Sequence, residues 1–212
     1  MDIRFSRREL KDLGIAWVAL GVAFTAFYYN PQIRALLAGV QPDAVLDVLI
    51  AGFAISMATA GVGFLLHELA HKVVAVHYGQ VAEFRADYNM LFLAVMAGLA
   101  GFLFAAPGAV YHRGFITKRE QGLIALAGPV TNVALVFVFA GIWIAGGSAD
   151  SAVATVGWLG VIINALLAGF NMIPFGPLDG KKVLNWSKPV WVATAGPMIA
   201  GGVWLLFGGI PL

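Results

Sequence analysis

The stretch AVLDVLIAGFAISMATAGVGFLLHELAHKVVAVHYG, residues 44–79, is apolar almost throughout, yet it carries His67, Glu68 and His71 within one turn near its end. A run of this length exceeds the about 20 apolar residues needed to cross a bilayer as a helix, so it predicts a membrane span. Ionisable side chains at that depth are costly and mark function. At about 100° per residue, His67 and His71 project from one helix face about 40° apart, so two imidazoles can reach one divalent metal. Glu68 flanks the pair as a base for water at the metal. The alternative is a pair of polar residues tolerated near headgroups at a helix end.

The rest of the chain has the same character. Hydrophobic residues make up 60% of the 212 and charged residues 11%, against about 25% charge in soluble domains, so the chain reads as an integral membrane protein. Its 26 glycines suit closely packed membrane helices. A net charge of +2 with no dense Lys/Arg run argues against nucleic acid as a partner. Cysteine is absent, which excludes disulfides and thiolate zinc sites. The length leaves room for five or six spans but not for an appended soluble domain.

Hydropathy and breakers predict spans at about 13–29, 44–78, 122–146, 152–174 and 190–208, with loops at 30–43, 111–121 and 174–188. The first run ends in Phe27-Tyr28-Tyr29-Asn30-Pro31, an aromatic interface belt, so it reads as an uncleaved span and not as a signal peptide. Residues 80–89 are polar and loosely alternating, which predicts a short strand. The apolar segment Met90–Val110 contains Gly98, Gly101, Pro107 and Gly108 and is expected not to cross, but to re-enter or lie on the membrane surface. If so, every Lys and Arg except Arg34 falls on one side, which makes the amino terminus cytoplasmic. The same parity lets the His-Glu turn and the loop around Asp179 share a face.

A hydrolytic zinc site needs three N or O ligands and an exchangeable position. His77 lies about 120° around the helix from His71. His112, Glu83, Asp87 and Glu120 read as solvated loop residues, and Asp47 as a carboxylate at a helix start. Asp179 is different. It follows Asn171-Met172-Ile173-Pro174-Phe175-Gly176-Pro177-Leu178, a helix-breaking run near the bilayer, where unwound backbone must line protein or a wet cavity. It is the candidate third ligand, with an ordinary loop aspartate as the alternative. Asn132 and Asn171 are candidates to donate to an oxyanion or to bind substrate, with interhelical hydrogen bonding as the other reading. Asn164 carries a packing reading only.

Together, HExxH in one span, Ala127-Gly128-Pro129-Val130-Thr131-Asn132 opening another, and Asn171-x-x-Pro174 followed by Leu178-Asp179-Gly180 resemble the site-2 protease family of intramembrane zinc metalloproteases. The match covers about residues 45–185. The resemblance implies that His67, His71 and Asp179 are ligands, that Glu68 is the catalytic base, and that Asn132 and Asn171 line the substrate cleft. Two features depart from the family: there is no PDZ or other regulatory domain, and Met90–Val110 is longer than a membrane-associated hairpin requires.

The expectation is therefore an all-α polytopic membrane protein. It has about five transmembrane helices, a re-entrant or membrane-surface apolar segment and a short strand after the HExxH helix. Residues 1–212 form a single transmembrane metalloprotease domain. Its function is that of an intramembrane zinc endopeptidase with one Zn2+ per chain, cutting transmembrane protein substrates near their cytoplasmic end. The active site lies near the cytoplasmic face, and the lipid bilayer is the other partner. A zincin with Glu83 or Glu120 as third ligand is one alternative. A metal transporter or metal-dependent membrane chaperone without proteolysis is another.

Overall fold

The computed structural model describes residues 3–40, 42–103, 108–148 and 151–207. Along the chain lie α1 (Arg7–Tyr28), α2 (Asn30–Leu37), α3 (Pro42–Ser56), a π-helical turn (Met57–Gly61) and α4 (Val62–His77). Then come β1 (Val81–Ala86), α5 (Tyr88–Leu99), β2 (Gly108–Arg113), α6 (Lys118–Ala145), α7 (Ala152–Asn171), α8 (Asp179–Trp186) and α9 (Lys188–Phe207). Among the described residues, four helices are long and apolar enough to cross a membrane: α1, the continuous helix Pro42–His77, α6 and α7. The protein is an all-α polytopic membrane protein with one small two-stranded sheet. The fifth expected span coincides with α9, which has 20 residues but is not among those four.

The chain forms two compact units. One comprises residues 5–62 and 84–109, the other residues 1–4, 63–83 and 110–212. In the first, Ser6 caps α1 by accepting from the Glu9 amide. Glu9 and Asp12 do not behave as the solvated flank of a membrane span, which is how their sequence neighbourhood reads. Both are buried. Glu9 accepts from the Phe84 amide at 3.1 Å, and Asp12 from the Ala86 amide at 3.4 Å and the Tyr88 hydroxyl at 2.7 Å. These carboxylates satisfy strand amides that would otherwise be unpaired in an apolar setting.

The segment after β1 re-enters. Asp87 caps α5, accepting from the Asn89 and Met90 amides. At 12 residues, α5 is about 18 Å long, short of the about 30 Å hydrocarbon core. It runs beside α1: Tyr88 bonds Asp12 near the start of α1, and the Leu99 carbonyl accepts from Asn30 just past its end. Between them, a Cβ on Gly98 would collide with the Ala23 carbonyl. The chain then returns to β2, which pairs with β1. Gly108 lies against Ala86 and Gly114 against Gln80, so the strands are antiparallel. Entry and exit therefore meet on one side, as the expectation for Met90–Val110 required, although Pro107 lies outside the described residues.

Three readings from sequence are corrected. Residues 30–37, expected as loop, form α2, with Pro31 at its first turn, where a missing N–H costs nothing. Residues 108–113, split between an apolar segment and a basic loop, form β2. Residues 179–186, expected as loop, form α8 once the chain has passed Gly176, whose φ of 56° ends the turn after Pro174.

In the other unit, α6 begins in a full capping box between Thr117 and Glu120. The Thr117 amide and hydroxyl both donate to Glu120. The helix packs on α7 and α8, and α9 on α7 and α8. Their shared core is Ala125, Met172, Val183 and Ala195, ringed by Trp186 and Trp191. Gly180 leaves no room for a Cβ beside the Met172 carbonyl, which also accepts from the Trp191 indole at 3.0 Å. This close approach seats the start of α8 under the end of α7, and with it Asp179.

Candidate metal centre

His67 and His71, four residues apart on α4, and Asp179, the first residue of α8, are all buried. Their donor atoms converge. The two Nε2 atoms are 2.9 Å apart, and Asp179 Oδ2 lies 3.3 Å from that of His67 and 3.0 Å from that of His71. Ligands about 2.0–2.1 Å from a tetrahedral zinc are separated by about 3.3 Å, so the three atoms form one face of such a shell.

The hydrogen-bond pattern suits a cation there. His71 Nδ1 lies 2.7 Å from the Ile124 carbonyl, which can only accept, and His67 Nδ1 lies 2.6 Å from Asn132 Oδ1. Each Nδ1 therefore carries a proton, and in the neutral ring each Nε2 would point a lone pair at the other and at a carboxylate. Three acceptors facing one another are stable only around a positive charge. Burial opposes charge on Asp179, but His71, His67 and the Lys182 ammonium together hold its carboxyl well below the usual range. Lys182 Nζ donates to Oδ1 at 3.1 Å, which leaves Oδ2 facing the imidazoles.

Glu68 completes the cluster. Its ligand atom lies within 4.8 Å of those of both histidines. One carboxylate oxygen accepts from the Val110 amide of β2, while Oε2 is buried without a hydrogen-bond partner. A buried orphan acceptor beside a metal face is where a polarised water would sit. Gly128 keeps that face open: a Cβ there would lie 2.5 Å from both Nε2 atoms. Its sequence echo in Ala195-Gly196-Pro197 has no such role, because a Cβ on Gly196 would meet nothing within 4 Å.

Of the other residues singled out, Asn132 is buried with its amide fully committed, donating to the Gly63 carbonyl at 3.2 Å and to Asn164 Oδ1 at 2.9 Å. It has no proton left for an oxyanion, which corrects that reading. Asn171 ends α7 half-buried and donates once, to the Leu167 carbonyl at 2.9 Å. Glu83 lies on β1, Glu120 in the α6 cap and Asp47 exposed on α3. His112, expected on the surface, is half-buried on β2; burial, and then the charges of Lys182 and His71, push its pKa down. Lys182, Gly128 and Asn164 were not legible as site residues, since a lysine, a glycine and a span asparagine have ordinary uses in membrane helices.

No family model and no solved structure matches the chain. Among curated proteins it is 41% identical to "Putative zinc metalloprotease MJ0611" of Methanocaldococcus jannaschii, over 96% of this chain and 97% of that protein. Proteins of the same description include Rip3 of Mycobacterium tuberculosis, 30% identical over 81% of this chain and 46% of its own, and YwhC of Bacillus subtilis, 31% identical over 58% and 64%. These likenesses, the apolar helices and the histidine cluster agree with the motifs read in the sequence, and zinc is the implied cofactor. The chain belongs to the site-2 protease family of zinc metalloproteases.

Proposed function

We propose that the protein is an intramembrane zinc endopeptidase that hydrolyses peptide bonds of membrane-spanning proteins near their cytoplasmic end. The observation that carries this is the convergence of His67, His71 and Asp179 donor atoms within 3.3 Å of one another beside the unpartnered Oε2 of Glu68. His67, His71 and Asp179 hold one zinc. Zinc supplies Lewis acidity at this position, lowering the pKa of water towards about 7 and polarising a carbonyl. Glu68 Oε2 takes the proton from the attacking water and delivers it to the leaving amine. The Val110 amide fixes the other Glu68 oxygen and so aims the base. Lys182 keeps Asp179 turned to the metal. Asn171, with one amide proton uncommitted, is the candidate to bind substrate, as the family resemblance implies.

A helical substrate must be extended before attack, because its amides are tied up within the helix. The strand β1 is engaged on both edges: β2 takes one, and Glu9 and Asp12 take the amides of Phe84 and Ala86 on the other. The remaining edge belongs to β2, whose Val110 amide already points at Glu68, so substrate pairs there in extended form. The excess of Lys and Arg on one side supports a cytoplasmic amino terminus and an active site near the cytoplasmic face.

The test is cleavage of a transmembrane peptide by the full-length chain in proteoliposomes. Wild type should cut it and Glu68→Gln should not. Zinc flux without any cleavage would overturn the reading in favour of a transporter.

A further inference from the structure

We propose that Asn164 is a positioning residue for the metal centre. Through Asn132 it locks His67 in the tautomer whose Nε2 lone pair faces the metal. This rests on the metal-binding part of the proposed function but not on the proteolytic part. The two asparagines and His67 are all buried, and two hydrogen bonds join them in a line that runs from α7 through α6 to α4, with a third anchoring Asn164 to the Gly160 carbonyl.

The direction of the line follows from its fixed ends. Asn164 Nδ2 donates to the Gly160 carbonyl at 2.9 Å, and a carbonyl can only accept. Asn164 must therefore turn its oxygen towards Asn132. The Asn132 amide nitrogen donates to that oxygen at 2.9 Å and to a second acceptor-only group, the Gly63 carbonyl, at 3.2 Å. Its own oxygen is thereby forced towards His67, at 2.6 Å. An imidazole nitrogen facing an amide oxygen must carry a proton, so in the neutral ring Nδ1 is protonated and Nε2 is not. Flipping either amide would set oxygen against carbonyl oxygen at the far end, a cost magnified where no water can compensate.

Two further observations support a built relay over incidental packing. Gly63 makes space for it: a Cβ there would lie 2.6 Å from Asn164 Oδ1. His71 needs no relay, since its Nδ1 meets the Ile124 carbonyl directly. The two ligands thus reach the same tautomer by different means, and only His67 depends on side chains that could turn over. Outer partners of metal-bound histidines are worth about ten- to a hundredfold in metal affinity, which sets the scale of the effect.

The experiment uses the full-length chain in detergent and two readouts that need no proteolysis. The first is zinc affinity by competition with a chelator. The second is the imidazole 15N chemical shifts of His67 in the metal-free protein at mildly alkaline pH. Wild type should show the Nδ1–H form. Asn164→Leu should give mixed tautomers and lose about tenfold or more in zinc affinity. Asn164→Asp, which still offers Asn132 an acceptor, should retain the Nδ1–H form and bind zinc within about threefold of wild type. Equal zinc loss in the Leu and Asp variants would overturn the proposal, as would wild-type shifts and affinity in Asn164→Leu. Should Asn164→Leu fail to fold, the wild-type spectrum still decides, because an Nε2–H His67 would refute the relay. Zinc bound normally without peptide cleavage would sink the proteolytic reading and leave this one standing.

Discussion

At the scale of single residues, the metal ligands and the base separate by what their loss removes. His67→Ala leaves two donor atoms of the three that converge, so zinc retention in elemental analysis should fall to background. Asp179→Asn keeps the shape but offers a neutral oxygen, and should weaken both metal binding and turnover. Glu68→Gln removes the proton acceptor while sparing all three ligands; zinc content should stay and cleavage should drop by about a hundredfold or more. Full zinc occupancy in His67→Ala would end the assignment. Gly128→Ala tests the open face: its new Cβ would stand 2.5 Å from both Nε2 atoms, so the imidazoles must move apart. Zinc affinity should fall by about tenfold or more, a loss of the size seen when metal-ligand orientation is disturbed, while Gly196→Ala should leave it unchanged. Equal affinities in the two variants would mean that Gly128 only relieves packing.

Among the elements, the antiparallel pairing of β1 and β2 on either side of α5 makes a topological prediction. Val81 on β1 and Lys118 at the start of α6 are exposed, and both lie beyond the ends of spans facing the same way. Cysteines placed singly at these sites should react with an impermeant reagent from one face, and a cysteine at the exposed Leu37 from the other. Labelling of Val81 and Lys118 from opposite faces would contradict the parity that brings α4 and α8 to one metal. The α6 cap gives a second test. Thr117→Ala should cost about 1 kcal/mol of stability, read by denaturant titration in detergent. What was legible at this scale was the chemistry-bearing part. HExxH fixes two ligands on one helical face whatever surrounds them, and Asp179 stands out because a carboxylate after a Pro-Gly-Pro break is rare at that depth. The strand β2 was hidden because GAVYHR continues an apolar run with no clean alternation. Helix α8 was hidden by the same breakers that drew attention to Asp179. The burial of Glu9 and Asp12 was not legible at all, since nothing local distinguishes a carboxylate that will meet strand amides from one that will meet water.

For the molecule as a whole, the metal is a structural tie as well as a reagent. Its ligands come from α4 and α8, the Nδ1 acceptors from α6, and the support behind Asn132 from α7, so one ion links four helices of the unit formed by residues 1–4, 63–83 and 110–212. Without a metal, the two Nε2 atoms face each other at 2.9 Å with a carboxylate oxygen 3.0–3.3 Å from each. Metal-free protein relieves that crowding by taking up a proton on one Nε2, by rotating the rings, which breaks the Nδ1 bonds, or by moving α8 away from α4. Moving α8 would disturb the buried core to which it contributes Val183. Zinc should therefore raise the thermal midpoint of the detergent-solubilised protein. The gain should grow by about 1.4 kcal/mol for each tenfold rise in free zinc above its dissociation constant. Chelation should lower the midpoint, and one equivalent of zinc should restore it. His67→Ala should show no zinc dependence, whereas Glu68→Gln should follow wild type, because its carboxylate is absent from the three-atom face. A midpoint indifferent to zinc in wild type would show that the helices hold the three acceptors together unaided, and the structural role of the ion would have to be abandoned.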